Sequence, residues 1–411
     1  MRTQWITSWI LWLGQHKTNF TILIAVVTVA FLGLLTWLVS WKANGFEFIF
    51  GEAASLVFLS MLVMSALAVK LLDSLKTAIL LFSVMLILHL ITSSLFLLFD
   101  IADNEFSVLA RVVIVTIMMS HLIHFLTAIL REMARGIHQY DAIVEALAIT
   151  HQPILLSSLT TVFGFIVVAL FNEPFENMAY QVIIGVSLSY ISILILVPTI
   201  LLNWLLEFRV GYYNDRHGLD YVLKFIKKHP PWVLFSQILT FFIVIFLVWQ
   251  LMNVLESIHT LISMLIVSFV LLFSVWKKLL PAMIAVFIAL ISVVFALVSL
   301  MMVNFITELT ALVLLVPIGI VLDDVVHFFS RYTRAEQSFV STASDKIKFS
   351  INSVGRSIWL TSQLLVVGLL VLLFSNNALV VETSLVTILS LFFVSFILLW
   401  FLPALSSSQD E

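Results

Sequence analysis

Two adjacent carboxylates, Asp323 and Asp324, lie in GIVLDDVVHFFSRY (Gly319–Tyr332), a run otherwise apolar enough to cross a membrane. His327 follows at i+4 from Asp323 and i+3 from Asp324, so on a helix it reaches either. One aspartate near the centre of a membrane helix costs about 2.5–3.5 kcal/mol on insertion scales. A pair retained at that cost has a use. Successive helical side chains point about 100° apart, so the two cannot share one proton within their own helix and each needs partners from elsewhere. Carboxylates and imidazoles are the groups that a low-dielectric site can tune to load and release protons near neutrality. The chemistry predicted is therefore proton transfer inside a membrane, with Asp323, Asp324 and His327 at its centre and no bond-making catalytic residue.

The elements that must hold these groups are membrane helices. Of 411 residues 62% are apolar and 10% charged, where soluble domains run nearer half and a quarter. The 35 Phe and 11 Trp suit a lipid-facing surface. A net charge of −3 with no basic cluster argues against a nucleic-acid partner, and the lack of cysteine excludes disulfides and thiolate metal sites. The N-terminal apolar run is too long, and lacks the small-residue end, for a cleaved signal. Nucleotide-binding glycine loops and the zinc-protease H-E-x-x-H pattern are missing, so no cofactor is predicted and an ion gradient is the expected energy source. Two Asp and three His are also ligand types for a metal, but no metal is assigned.

Stretches free of Asp, Glu, Lys and Arg mark twelve spans of about 20 residues or more. They are Thr18–Trp41, Ala53–Val69, Thr77–Phe99, Val112–Leu130, Gln152–Asn172, Asn177–Leu206, Pro230–Leu255, Ser257–Trp276, Leu279–Thr307, Leu309–Ser330, Ser357–Val381 and Thr383–Gln409. With both termini placed in the cytoplasm, 18 Lys and Arg fall inside and only Lys42 and Arg111 outside. The positive-inside rule supports that orientation. Asp323 then sits roughly 12 Å from Arg331, the first cytoplasmic cation, well within the hydrocarbon.

The chain repeats itself. HFLTAILRE (His124–Glu132) is matched 203 residues later by HFFSRYTRAE (His327–Glu336), and LLSSLTTVFGF (Leu155–Phe165) 204 residues later by WLTSQLLVVGL (Trp359–Leu369). LWLGQHKTNF more loosely parallels LKFIKKHPPW. The fold expected is all-α, with twelve transmembrane helices as two pseudo-symmetric six-helix repeats, residues 1–206 and 230–411, joined by a cytoplasmic linker at 207–229. By the repeat, Ser120, His121 and His124 on the fourth span stand where Asp323, Asp324 and His327 stand on the tenth. If the two spans meet, two carboxylates and three imidazoles converge, with Ser120, Ser158, Thr361 and Ser362 as a supporting polar path and Ser157, Thr160, Thr161 and Gln363 nearby. Gly164 and Gly368, at equivalent positions, are expected to let helices approach closely. Polar segments after the fourth and tenth spans carry apolar stripes (Ile137, Tyr140, Val144, Leu147, Ala148; Phe339, Ala343, Ile347, Ile351) that predict short cytoplasmic surface helices.

PIGIVLDDVVHFFSRYTRAE resembles the fourth- and tenth-helix signature of the resistance-nodulation-division (RND) superfamily, especially its MMPL-type exporters: a glycine-containing start, an aspartate, then a histidine and an S-R-Y exit. RGIHQYDAIVEALAITHQPILLSSLTTVFGF resembles the segment that follows in that family, and the similarity runs over nearly the whole chain. The resemblance implies proton-driven export or lipid handling in a bacterial inner membrane, with Asp323 and Asp324 as the proton-carrying carboxylates. It implies membrane lipid and a lipid or amphiphilic substrate as partners, and an extracytoplasmic partner protein. Two departures stand out. The first repeat has Ser120 and His121 where the family has its acid. The loops Lys42–Glu52 and about Met252–Glu256 are too short for the family's large extracytoplasmic domains. A non-transporting lipid- or sterol-sensing bundle, or an isolated core whose substrate-handling domains are absent, is the alternative.

Overall fold

The computed structural model describes residues 4–16, scattered positions between 18 and 33, and residues 52–171, 173–206, 258–303, 305–306, 311–335 and 342–403. The expected first and seventh spans, the linker 207–229 and both extracytoplasmic loops lie largely or wholly outside them. Among the described residues there is no strand, and the helices are α1 (Gln4–Gln15), α2 (Glu52–Leu72), α3 (Leu75–Leu98), α4 (Ser107–Ala134), α5 (Gln139–Phe171), α6 (Glu176–Leu194), α7 (Leu196–Leu201), α8 (Ile258–Trp276), α9 (Leu279–Met302), α10 (Ala311–Ala335), α11 (Ala343–Ser350), α12 (Arg356–Leu370) and α13 (Ala378–Phe396). Helices dominate because a spanning segment must satisfy its backbone polar groups internally. Nine helical stretches among the described residues are long and apolar enough to cross a membrane, and α8 adds a shorter apolar helix.

Helix boundaries recur along the chain. α3 and α9 begin and end 204 residues apart (279 − 75 and 302 − 98), and α6 and α13 both begin and end 202 apart (378 − 176 and 396 − 194). The turns before α3 and α9 repeat as well: Asp73 and Lys277 each take a positive φ, 50° and 55°, to close a two-residue connection. A side chain in that left-handed region is uncommon, and the tight reversal between two antiparallel helices demands it at both places. Ser74 caps α3 by accepting from the Thr77 amide at 3.2 Å, and Asn377 caps α13 by accepting from Leu379 and Val380.

Burial separates a central pair from its surround. The apolar windows of α4 and α10 are 94% and 100% buried, whereas those of the other seven are 44–61% buried. Half-buried apolar helices face lipid on their other side, as exposed Phe58, Leu62, Leu170, Ile266 and Phe287 show. The packing crosses over: α5 lies against α10 as well as α4, and α12 lies against α4. Glycine sets a further approach, between α12 and α2. A Cβ at Gly368 on α12 would fall 2.6 Å from Met64 Sδ on α2, and Ser60 donates to the Gly368 carbonyl at 3.1 Å.

The segments preceding the fifth and eleventh spans differ from expectation. No separate surface helix precedes α5: residues 139–171 form one helix through Pro153. Its first turns bury Ala142, Ile143, Ala146 and Leu147, a stripe offset from the expected one, because they pack on the bundle. In the C-terminal counterpart, α11 passes through a π-helical turn at Ile351–Gly355 directly into α12. Proline in one case and the wide turn in the other interrupt the backbone ladder at the same level without ending the helix.

Candidate functional site

The central pair carries the site. α10 brings Asp323, Asp324 and His327, all at most 3% exposed, against Ser120, His121 and His124 of α4, likewise at most 3% exposed. Adjacent helical positions diverge, and the two carboxylates indeed turn to different neighbours. Asp323 accepts short hydrogen bonds from Ser120 of α4 and Ser157 of α5. Asp324 accepts from Thr361 at 3.0 Å and Ser362 at 3.2 Å, both on α12. One acid is thus held from the N-terminal helices and the other from the C-terminal ones.

The imidazoles bridge this division. His327 Nε2 lies 3.6 Å and His121 Nε2 3.9 Å from Asp323 Oδ1, while His124 Nε2 lies 3.6 Å from Asp324 Oδ1. His124 and His327 stack with ring centroids 3.7 Å apart and planes within 1° of parallel. All these nitrogen–oxygen gaps exceed hydrogen-bond length. Accordingly the Nε2 atoms of His121, His124 and His327 are buried without a hydrogen-bond partner. Each gap is of a size closed by a sub-ångström shift or a bridging water. A cavity of about 20 Å³ beside His124 and His327, towards the arginine-rich end of the bundle, has room for about one water.

Every proposed relay residue comes to this centre, as do Ser120, Thr361 and Ser362. Ser158 does not: it is buried with no hydrogen-bond partner, and its neighbour Ser157 faces Asp323 instead. Two further hydroxyls escaped the sequence. Ser189 of α6 contacts His121 Nδ1 at 3.2 Å, and Ser395 of α13 contacts Ser362 at 2.6 Å. Nothing distinguishes these serines from the many others on their helices until the packing is known. Gly319, opening the aspartate motif, accepts at its carbonyl from the Thr161 hydroxyl at 3.4 Å.

One nitrogen each of His124 and His327 and one oxygen of Asp323 lie within 4.8 Å of one another, a spacing some metal sites share. A metal ion sits in the plane of each ligating imidazole, along the nitrogen lone pair. The rings of His124 and His327 are stacked and parallel, so no single ion lies in both ring planes as arranged. The carboxylate hydroxyl contacts fit proton exchange better. A serine or threonine hydroxyl can donate to a carboxylate or accept from a carboxylic acid, and so serves both protonation states.

No protein family and no curated protein matches the chain by sequence. Solved structures do match by shape. SecDF from Thermus thermophilus, a translocon-associated membrane protein, superposes with a TM-score of 0.66 at 13% identity over 87% of this chain. The chain shares the fold of that structure. SecDF in its super-membrane-facing form gives a TM-score of 0.60 at 12% identity, again over 87% of this chain. In both comparisons the chain spans 62% of the length of SecDF. The protein is an integral membrane protein with that fold.

Proposed function

We propose that this protein is the transmembrane core of a proton-motive-force-driven RND-type transporter that exports lipid or amphiphilic substrates. Its twelve helices form two six-helix repeats, and its arginine-rich end faces the cytoplasm. The observation that carries the reading is the division of the two buried acids: Asp323 is bonded to Ser120 and Ser157, Asp324 to Thr361 and Ser362, with His121, His124 and His327 between them. A change of protonation at either acid alters its bonds to one set of helices and not the other. At Asp323, whose partners lie in the other half, such a change gives a proton leverage over the packing of the halves, as coupling requires.

The likeness to SecDF, a translocon-associated membrane protein, favours a version in which the core also works on a partner protein outside its own fold. The test is proton flux in proteoliposomes carrying an internal pH dye. Asp323→Asn and Asp324→Asn should each abolish flux driven by a pH gradient while the purified proteins keep the wild-type elution profile and helicity. Wild-type flux in both variants would exclude the relay and leave a lipid- or sterol-sensing bundle as the better reading.

A further inference from the structure

The cavity beside His124 and His327 opens towards a ring of guanidinium groups that proton transfer does not require. Arg131, Arg331 and Arg356 line it, from α4, α10 and α12. Arg131 is engaged: it donates to the Ser353 carbonyl in the π-helical turn at 2.6 Å and lies 3.6 Å from Glu132. Arg334, one turn beyond Arg331, donates to the Ile149 carbonyl and to Gln152. Arg331 is different. It is 7% exposed, its Nε is buried with no partner, and among the described residues no hydrogen bond or ion pair reaches its guanidinium. The carboxylate at this end, Glu132, is bound by Arg135 through both oxygens at 2.9 Å.

A buried, unpaired guanidinium is costly, because it keeps its proton and exchanges hydration for nothing. Among the described residues Arg131, Arg135 and Arg331 gather around Glu132, an excess of positive charge that a bound anion would offset. The guanidinium fork matches two oxygens of a phosphate, and basic pockets between membrane helices at the headgroup level take phosphate-bearing groups. The cavity, about 20 Å³, has room for about one oxygen of such a group, so the rest would lie outside it. Arg331 follows the apolar run of α10, near the C-terminal end of that helix.

We propose that Arg331, with Arg131 and Arg356, forms a binding site for a phosphate group at the arginine-rich end of the bundle. The phosphate belongs either to an anionic phospholipid headgroup or to a soluble phosphate; the chemistry recognised is the same. The site is independent of the relay reading, since it follows from the unpaired arginine alone.

Thermal unfolding of the full chain in phosphatidylcholine-containing micelles tests it. Adding phosphatidylglycerol should raise the Tm by about 4 °C. The Arg331→Gln variant, relieved of an unpaired charge, should be at least as stable as wild type without the anionic lipid and should gain nothing from it. A rise with inorganic phosphate at matched ionic strength, without phosphatidylglycerol, assigns the site to a soluble phosphate. Should Arg331→Gln fail to fold, native mass spectrometry of the wild-type protein decides: preferential retention of phosphatidylglycerol over phosphatidylcholine supports the site. Equal retention of both lipids with no phosphate-induced rise overturns it, as does an equal rise in wild type and a folded Arg331→Gln.

Discussion

His124 and His327, 203 positions apart in the chain, lie face to face in the membrane interior, 3.7 Å between centroids and 1° from parallel. Each leans towards an acid, His327 towards Asp323 and His124 towards Asp324, both at 3.6 Å. Two like charges at about 4 Å repel by roughly 4 kcal/mol at an effective dielectric of 20. Repulsion of that size limits the stacked pair to one proton at a time, and under the proposed function the rings would act as a single carrier between the acids. Groups that act as a unit show non-additive losses. His124→Ala and His327→Ala should each lower gradient-driven proton flux by about 10²-fold, a typical loss for a proton-transfer group. The double variant should be no slower than the worse single one. Additive losses in the same proteoliposome assay would mean two separate carriers.

Ser157 and Ser158 are neighbours with opposite surroundings: Ser157 donates to Asp323, while Ser158 Oγ is buried without a partner. A hydrogen bond to a charged group contributes about 1.5–3 kcal/mol. Ser157→Ala should therefore slow proton flux by about 10- to 100-fold. Removing an unsatisfied hydroxyl costs nothing of that kind, so Ser158→Ala should retain wild-type flux and equal or greater thermal stability. The reverse ranking of the two variants would show that the hydroxyl facing Asp323 is wrongly assigned.

The sequence exposed the centre of the site and left its rim hidden, for a physical reason. Carboxylates in an apolar run stand out because their cost is large and local, and the repeat then pointed from Asp323, Asp324 and His327 to Ser120, His121 and His124. A hydroxyl carries no such cost. Thr383, Ser384, Thr387 and Ser390 all bond back to their own helix, and Ser395 on the same helix reaches Ser362 instead. Only the rotation and depth of α13 against α12 decide which serine joins the network. The continuity of α5 was equally out of reach. A polar amphipathic segment followed by an apolar span reads as two elements, and only packing of Ala142, Ile143, Ala146 and Leu147 on the bundle keeps it one.

Gly368 offers a stability test away from the acids. Its missing side chain accommodates Met64, whose Sδ and Cγ would stand 2.6 and 3.0 Å from an added Cβ. Overpacking typically costs about 1–3 kcal/mol, and methionine can yield part of that by moving. Gly368→Ala should lower the thermal midpoint in detergent by a few degrees, and adding Met64→Ala should recover part of the loss. Met64→Ala alone creates a cavity and should also destabilise. A double variant that merely sums the two losses would show that α2 and α12 do not meet through this pair.

The π-helical turn at Ile351–Gly355 sets the rotation of α12, and hence what Asp324 can reach. π turns inside α-helices commonly occur at functional positions, and each adds one residue to a regular ladder. Here the turn has a further partner, since the Ser353 carbonyl accepts from Arg131 at 2.6 Å. Inserting one alanine between Gly355 and Arg356 adds a residue of regular α-helix after the turn. With α11 held in place, everything after the insertion turns by about 100°. Thr361 and Ser362, now 3.0 and 3.2 Å from Asp324, would then face away from it. The insertion variant should enter the membrane and keep its helicity by circular dichroism, yet lose proton flux as fully as Asp324→Asn. Retained flux in a folded insertion variant would show that the contacts of Thr361 and Ser362 with Asp324 are dispensable. Flux would then depend on Asp323, with its partners Ser120 and Ser157.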